Sequence, residues 1–242
     1  MAGELYLHDS YAQEMRVQVL EALPDGVVLG NSAFYPKGGG QPGDQGRLTK
    51  LPVGAEYMVL DTIKRDGKVV HILGDHDLQM HDVVNGWIDW TQRYAHMRYH
   101  TAAHILSVVV HDHAGALITG NQIYADKLRI DFSLEEYDPA QIARYVTEAN
   151  RLIALNLDVT IRFMPREEAL ALPGVVKLAG ALPPNIATLR VVRIGNAELT
   201  VDEQADGGTH VHNTRELAPL EVVSIENKGK NNRRLTVKFT GG

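Results

Sequence analysis

Short apolar segments separated by turn residues fill the first ninety positions of the chain. Glycine, proline and Asp-Gly pairs lie between the segments, and Asp66-Gly67 has the composition of a hairpin turn. Valine, isoleucine, leucine and tyrosine concentrate in Met15–Leu23, Val27–Leu29, Tyr57–Ile63, Val69–Leu73 and Val83–Trp90. Short strands at such regular spacing predict a small β-barrel over residues 1–90.

The pattern changes to helical periodicity after Thr91. Apolar residues recur at helical spacing from Arg93 to about His113, and Gly115 is well placed to end this helix. A second helix is expected to begin at Asp138-Pro139, because Asp is a good N-cap and Pro a good first helical residue. Later strands are predicted at Val159–Phe163, Thr188–Ile194, Leu220–Ile225 and Leu235–Phe239. These elements predict an α+β fold, in which a small N-terminal β-barrel domain (1–90) precedes an α+β domain (91–242).

The absence of cysteine and the presence of eleven histidines restrict the chemistry of any metal site. Without thiolates, the ligands must be His, Asp or Glu, and a cysteine nucleophile is excluded. No apolar run reaches the roughly 18–20 residues of a membrane span, and Met1–Ser10 lacks a basic-then-apolar signal pattern. We therefore expect a soluble, cytoplasmic protein without a membrane partner.

The net charge of −6 argues against a surface that coats nucleic acid, although a local basic patch remains compatible with it. One candidate patch, for which a solvated hairpin tip is the alternative interpretation, consists of Lys228, Lys230, Arg233, Arg234 and Lys238.

Two histidines, His100 and His104, lie four residues apart in the first predicted helix. This spacing rotates the side chains by little more than one turn and separates them by about 6 Å along the axis, so both imidazoles project from one face. The arrangement is that of a two-histidine metal clamp, and two unrelated histidines are the alternative. Thr101 follows the first histidine, so the pair is not the zinc-peptidase motif, which needs Glu there.

The second half of a candidate metal site lies downstream, in Asp206-Gly207-Gly208-Thr209-His210-Val211. The paired glycines allow a tight backbone turn that directs Asp206 and His210 toward one point. Together with the helical pair they offer four nitrogen or oxygen ligands, which is the number in a tetrahedral zinc site.

These motifs resemble the metal signature of the editing domains of alanyl- and threonyl-tRNA synthetases and of their free-standing relatives. In those proteins HxxxH is followed by CxxxH in the context CGGTHV. The segment Phe34–Asp44 (FYPKGGGQPGD) resembles the glycine-rich motif that medium and long AlaX proteins share with the alanyl synthetase, and a flexible turn is the alternative. It lacks the Gly-Lys-Ser/Thr of a phosphate-binding loop. The chain thus resembles the medium-type AlaX family along nearly its whole length, without room for an adenylation portion.

The resemblance implies a trans-editing hydrolase that deacylates tRNA(Ala) carrying serine, with glycine as a further candidate substrate. It implies one zinc ion held by His100, His104, Asp206 and His210. The ion would activate water or polarise the ester carbonyl, or else anchor the amino group of the substrate. Asp202 and Glu203 lie near the second motif, but neither stands out as a general base.

Further residues are implied in substrate selection. An editing site that hydrogen-bonds the serine hydroxyl spares alanine, because alanine would leave its polar group unpaired. The resemblance gives this role to Thr119, for which an ordinary loop residue is the alternative, and Gln122 is a weaker catalytic candidate because it is close in sequence. Substrate contacts are expected from Gly38, Gly39, Gly40 and Gln41. The implied partner is the acceptor end of tRNA(Ala), whose phosphates would need cations such as Arg93, Arg98 and Lys37.

One departure from the family is Asp206, which stands where the family has cysteine. Aspartate can ligate zinc and would leave the ion more Lewis-acidic. Two alternatives stay open: a three-histidine site in which Asp206 only hydrogen-bonds a ligand, and a decayed site without metal. The corresponding alternative functions are a non-catalytic tRNA-binding module and a metal-dependent hydrolase of another small ester. Threonyl-tRNA editing is a closer alternative, but the glycine-rich motif favours the alanine system.

Overall fold

A computed structural model of the chain describes residues 3–52, 54–135, 138–172 and 186–241. The chain divides into two units, Met1–Met97 and Arg98–Gly242, and the boundary lies within helix α1 (Trp90–Ala114). Sheets with few helices build the described residues, so the α+β class is confirmed. The predicted assignment of a barrel domain to residues 1–90 and of an editing domain to 91–242 stays a prediction.

Antiparallel strands dominate the first unit. Its described strands are β1 (Gly3–Glu4), β2 (Glu14–Leu23), β3 (Gly26–Leu29), β4 (Asn31–Ser32), β5 (Gly46–Leu51), β6 (Glu56–Val59), β7 (Asp61–Arg65), β8 (Lys68–Ile72) and β9 (Val83–Ile88). One sheet has the order β6-β5-β9-β2-β3-β8-β7, and β1 pairs with β4 in parallel. The sheet encloses an apolar core that includes Val19, Val27, Phe34, Leu48 and Val84.

The predicted hairpin turn is confirmed, and one predicted strand end is wrong. Asp66 and Gly67 have φ values of 51° and 74° and connect β7 to β8, as a two-residue hairpin turn requires. Trp90 was predicted as the last residue of a strand but is the first residue of α1. The reason is an N-cap that the apolar pattern hid: the Asp89 carboxylate accepts the backbone N–H of Gln92 (3.2 Å), and it also accepts a hydrogen bond from the Gln92 side-chain amide (2.9 Å).

Two antiparallel sheets and two further helices belong to the second unit. Their described elements are β10 (Ile118–Ile123), β11 (Leu128–Phe132), α2 (Pro139–Ile153), β12 (Asp158–Pro165), α3 (Arg166–Leu170), β13 (Thr188–Gly195), β14 (Thr200–Ala205), β15 (Leu220–Asn227) and β16 (Arg233–Phe239). The sheet orders are β10-β11-β16-β15 and β12-β13-β14. Among the described residues, no helix is long and apolar enough to cross a membrane.

The helix ends follow the predicted signals. Gly115 adopts a φ of 63°, and its N–H donates to the carbonyl of His111 (2.7 Å), which ends α1 in a left-handed cap. Asp138 caps α2 by accepting the N–H of Ala140, and Pro139 is the first helical residue. Both predicted ends are therefore confirmed.

Burial on every side distinguishes the central part of α1. All residues from Tyr99 to Val110 are buried, including His100, Thr101, His104 and Ser107. A buried polar side chain needs a hydrogen-bond partner or a ligand, because leaving it unpaired costs about 1–3 kcal/mol. The polar residues of this helix therefore determine what the neighbouring elements must supply.

A buried imidazole also lies in the core of the first unit. His71 Nδ1 is 3.1 Å from the carbonyl of Val27, and its Nε2 is 2.7 Å from the hydroxyl of Ser32. A carbonyl can only accept, so Nδ1 carries the proton and Nε2 accepts from Ser32. Burial lowers the pKa of His71 to about 4, and the ring is neutral at physiological pH.

Replacement of His71 by Gln is expected to reduce the acid sensitivity of the fold. An unfolded histidine has a pKa of about 6.5, so between about pH 6.5 and 4 the unfolded state binds a proton that folded His71 does not. The free energy of unfolding of the wild type therefore falls by up to about 1.4 kcal/mol per pH unit through this group as the pH drops. Urea denaturation of both proteins at pH 7.5 and 4.5 measures the difference.

The matched control is His8→Gln, because His8 is exposed. We expect the control to retain the wild-type difference between the two pH values. An equal loss of stability in wild type and His71→Gln would contradict the assignment.

Candidate metal centre

Four side chains from two distant parts of the second unit converge at one point. His100 and His104 come from successive turns of α1, and Asp206 and His210 come from the segment after β14, here called the metal turn (Asp206–His210). One potential ligand atom from each of the four lies within 4.8 Å of the other three. The sequence spacing therefore correctly predicted which residues meet.

The donor atoms face one another. Nε2 of His210 is 3.0 Å from Oδ2 of Asp206, and Nε2 of His100 is 3.6 Å from Oδ1 of Asp206. Zinc bonds of 2.0–2.2 Å separate two tetrahedral ligand atoms by about 3.3 Å. The spacing of the four residues is thus suited to a small divalent cation.

Partners behind the imidazoles also fit a metal site. Nδ1 of His104 is 2.8 Å from Oδ2 of Asp202, and Nδ1 of His210 is 3.1 Å from the hydroxyl of Thr101. Histidines that bind metals through one ring nitrogen usually engage the other in such a hydrogen bond. The two contacts leave Nε2 of His104 and His210 for the interior of the cluster.

Electrostatics favours the protonation states that bind a cation. Burial lowers the pKa of His100 well below its usual value and the pKa of His210 to about 4, so both rings are neutral at pH 7. Burial alone would raise the pKa of Asp206, but the neighbouring His100 and His210 outweigh it and lower this pKa well below its usual value. Neutral imidazoles and an ionised carboxylate are the ligand forms of these side chains.

The metal turn is built around close backbone contacts. The N–H of Gly208 donates to Oδ2 of Asp206 (2.6 Å), and the guanidinium of Arg190 on β13 donates to the Asp206 carbonyl (2.6 Å). Neither Gly207 nor Gly208 has a positive φ. Gly208 is required for another reason: a Cβ there would overlap Cε1 and Nδ1 of His100.

Thr119 and Gln122 lie on β10 in the same unit. Thr119 is exposed at a bulge in the pairing of β10 with β11, and its hydroxyl donates to Oδ1 of Asn232 (3.0 Å). Gln122 is half-buried, and its amide donates to the carbonyl of Ile123 (3.2 Å). These positions lie outside the four-residue cluster, and their predicted roles stay predictions.

The glycine-rich motif forms a closed turn in the first unit. Gly38 and Gln41 exchange two backbone hydrogen bonds of 3.1 and 2.9 Å, and Gly39 and Gly40 between them have φ values of 55° and 83°. Such angles suit glycine in a two-residue turn. Gly39 is exposed, Gly38 and Gly40 are half-buried, and Gln41 is completely buried, so the glycines rather than the Gln41 side chain are accessible to a ligand.

Two cations considered for phosphate binding are instead engaged within the protein. Arg93 is fully buried and forms hydrogen bonds to both carboxylate oxygens of Asp44 and to the carbonyl of Ser10. Arg98 donates to the carbonyl of Glu216 (2.9 Å) and lies over the ring of Phe239.

The basic C-terminal stretch is similarly divided. Arg233 is buried and binds the carbonyl of Gly229, Arg234 forms a paired ion contact with Asp131, and Lys238 lies 3.1 Å from Glu221. Exposed cations at the tip of the β15–β16 hairpin are Lys228 and Lys230. The candidate phosphate-binding patch is therefore smaller than the sequence predicted.

Two parts of this chain match families of sequences found in tRNA synthetases. Residues 189–236, which contain β13, β14 and the metal turn, match the threonyl and alanyl tRNA synthetase second additional domain. Residues 6–92 match the class II (A) tRNA synthetases. The fold and the site thus define a protein of the synthetase-related class.

Similarity over the full length narrows the class to one family. The alanyl-tRNA editing protein AlaX-M of Saccharolobus solfataricus is 40% identical over 98% of this chain and 100% of the relative, and that of Methanosarcina barkeri is 40% identical over 97% and 98%. An alanine–tRNA ligase of Pyrobaculum neutrophilum is 36% identical over 92% of this chain but 25% of the ligase. The chain belongs to the AlaX-M family of alanyl-tRNA editing proteins, which is related to the editing domain of alanyl-tRNA synthetase.

Replacement of Gly208 by Ala is expected to abolish stoichiometric metal binding. The added Cβ would occupy the space of the His100 ring and displace one ligand. Gly207→Ala is the matched control, because a Cβ at Gly207 has no neighbour within 4 Å. Zinc content of both purified variants, determined by atomic emission, measures the effect. Full zinc occupancy in Gly208→Ala would contradict the contact.

Proposed function

We propose that this chain is a trans-editing hydrolase that deacylates mischarged tRNA(Ala). Its main substrate is Ser-tRNA(Ala), and Gly-tRNA(Ala) is a further candidate. The observation that carries the proposal is the cluster of His100, His104, Asp206 and His210 in a chain of the AlaX-M family. Residues 91–242 are the proposed editing domain, and a cytoplasmic location stays a prediction.

Zinc is the proposed cofactor, and the four clustered side chains would hold it. Neutral imidazoles and one carboxylate match the nitrogen and oxygen ligands of zinc. Because the three imidazoles are neutral, they offset neither of the two positive charges of the zinc ion. A bound zinc ion supplies Lewis acidity, which activates water or polarises an ester carbonyl. Asp206 contributes one compensating negative charge directly, and the Arg190 guanidinium, 3.7 Å from Oδ2 of Asp206, adds a positive charge next to the site.

Thr119 is the proposed reader of the serine hydroxyl, with Gln122 as a second candidate in catalysis. The Thr119 proton is already donated to Asn232, so its oxygen remains an acceptor for the hydroxyl of a seryl group. Alanine has no hydroxyl to donate, and it would leave this acceptor unpaired. This hydrogen bond thus separates serine from alanine, and it also favours serine over glycine, which has no hydroxyl either.

The acceptor end of tRNA(Ala) is the proposed partner. Exposed turns with little side-chain bulk allow close approach of a ribose–phosphate backbone, which suits Gly38, Gly39 and Gly40. Gln41 is buried, and it supports this turn through its backbone bonds to Gly38. Phosphate contacts are assigned to the exposed cations Lys37, Lys228 and Lys230.

The deciding experiment compares hydrolysis of Ser-tRNA(Ala) and Ala-tRNA(Ala) by the full chain. We expect rapid loss of serine with alanine spared, and loss of this activity after treatment with a chelator and its return with zinc. Asp206→Ala should reduce metal affinity by more than about 100-fold, because loss of a partner behind a ligand already costs about 10–100-fold. Metal content is measured on the same preparations.

Each alternative function gives a different result. A zinc-loaded protein that hydrolyses small esters but not Ser-tRNA(Ala) would favour another esterase. A protein that binds tRNA without zinc and without deacylation would be the non-catalytic module, and the proposal would be wrong.

Thr119→Val is expected to lower kcat/KM for Ser-tRNA(Ala) on the order of tenfold, equivalent to about 1.4 kcal/mol for one hydrogen bond. The rate for Gly-tRNA(Ala) should stay unchanged, since glycine has no hydroxyl. Thr160→Val, on the exposed side of β12, is the matched control. Equal losses for the seryl and glycyl substrates would contradict the role of Thr119.

A further inference from the structure

Asp202 is a completely buried carboxylate that the proposed chemistry does not use. It lies on β14, is 1% exposed, and approaches Nδ1 of His104 to 2.8 Å. Gln204, two residues further along the same strand, donates from its amide nitrogen to the same oxygen of Asp202 at 2.8 Å. Asp202 and Gln204 are therefore adjacent on the face of β14 that meets α1.

The position of the proton between these groups follows from their chemistry. Nε2 of Gln204 is also 2.9 Å from Nδ1 of His104. Nδ1 of His104 therefore faces one carboxylate oxygen, from Asp202, and one amide nitrogen, from Gln204. If Nδ1 accepted from Gln204, its lone pair would face the lone pairs of Asp202 at 2.8 Å. If Nδ1 carries the proton, it donates to Asp202, and Gln204 donates to Asp202 as well. Only the second arrangement satisfies all three groups.

We propose that Asp202 is a positioning residue that holds the proton of His104 on Nδ1 and so keeps Nε2 of His104 as a metal ligand. Gln204 orients the Asp202 carboxylate by donating to it. The inference rests on the proposed metal site and extends it to residues outside the four ligands. It also adds a second carboxylate beside Asp206, which offsets more of the charge of a divalent cation.

His210 and His104 are held differently. His210 faces the hydroxyl of Thr101, which can either donate or accept, whereas His104 faces a carboxylate, which can only accept. A carboxylate partner also raises the basicity of the ring nitrogen that binds the metal. The position of the proton on His104 is therefore more strictly determined by its partner than that on His210.

Asp202→Asn is the principal test, because Asn has nearly the same shape but can turn its amide nitrogen toward Nδ1. That arrangement favours the proton on Nε2, where it blocks metal binding. We expect zinc affinity, measured by competition with a chromophoric chelator at pH 7, to fall about 10–100-fold. The visible spectrum of the cobalt-loaded protein should also change. Circular dichroism verifies that the variant is folded.

The matched control is Glu203→Gln. Glu203 lies between Asp202 and Gln204 on β14 but pairs with Arg162 on β12. Its replacement removes the same kind of charge and should leave zinc affinity and the cobalt spectrum unchanged. Zinc affinity of Asp202→Asn within twofold of the wild type, with an unaltered cobalt spectrum, would overturn the proposal.

A measurement on the wild type keeps the inference testable even if Asp202→Asn does not fold. In metal-free protein labelled with nitrogen-15 at histidine, the neutral His104 ring should already carry its proton on Nδ1, because Asp202 and not the metal places it there. A His104 ring without that proton would overturn the proposal. None of these readouts uses tRNA, so a failure of the editing proposal and a failure of this inference are distinguishable.

Discussion

Burial of α1 along Tyr99–Val110 is the constraint on which the second unit depends. A helix surrounded by protein can retain polar side chains only where neighbouring elements supply partners for them. β14 and the metal turn supply these partners: Asp202 meets His104, and the metal turn brings Asp206 and His210 to the same helix face. The position of β14 against α1 is thus determined by polar contacts as well as by apolar packing.

The same constraint explains why the site is compact. Thr101 separates His100 from His104 in sequence but faces His210, so successive residues of one helix turn engage different parts of the metal turn. Gly208 permits the closest contact, because no Cβ intervenes between its backbone and the His100 ring. Ligand spacing, outer hydrogen bonds and backbone approach therefore depend on one another, and a change in any of them displaces the others.

Local signals were sufficient for much of the fold and for the four clustered residues. The capping residues Asp138 and Gly115 act within a few positions of themselves, and the four-residue spacing of His100 and His104 has a direct geometrical meaning on a helix. The N-cap at Asp89 was also local, but the apolar pattern of Val83–Trp90 obscured it. Likewise β10 and β14 carry too many polar residues to be recognised by apolar alternation.

Long-range pairings were not predictable in the same way. Asp202 meets a histidine 98 positions away, and Arg93 meets Asp44 across 49 positions; neither pairing has a signature near either residue. A period of two in Asp202, Gln204 and Asp206 does indicate one strand face, and it would have identified Asp202 as a neighbour of the metal turn. Burial decided which Lys and Arg side chains remain available for phosphate binding, and the sequence alone does not show which of these side chains are buried.

Asp206 in place of the family's cysteine has a consequence for the chemical durability of the centre. A thiolate ligand can be oxidised through sulfenic to sulfinic acid, and this oxidation destroys the thiolate that binds the metal. The cluster here consists of imidazoles and a carboxylate, and the chain contains no cysteine at all. Peroxide therefore cannot inactivate this site by oxidising a thiol ligand. The protein needs no reducing system to keep its metal ligands in the form that binds a cation.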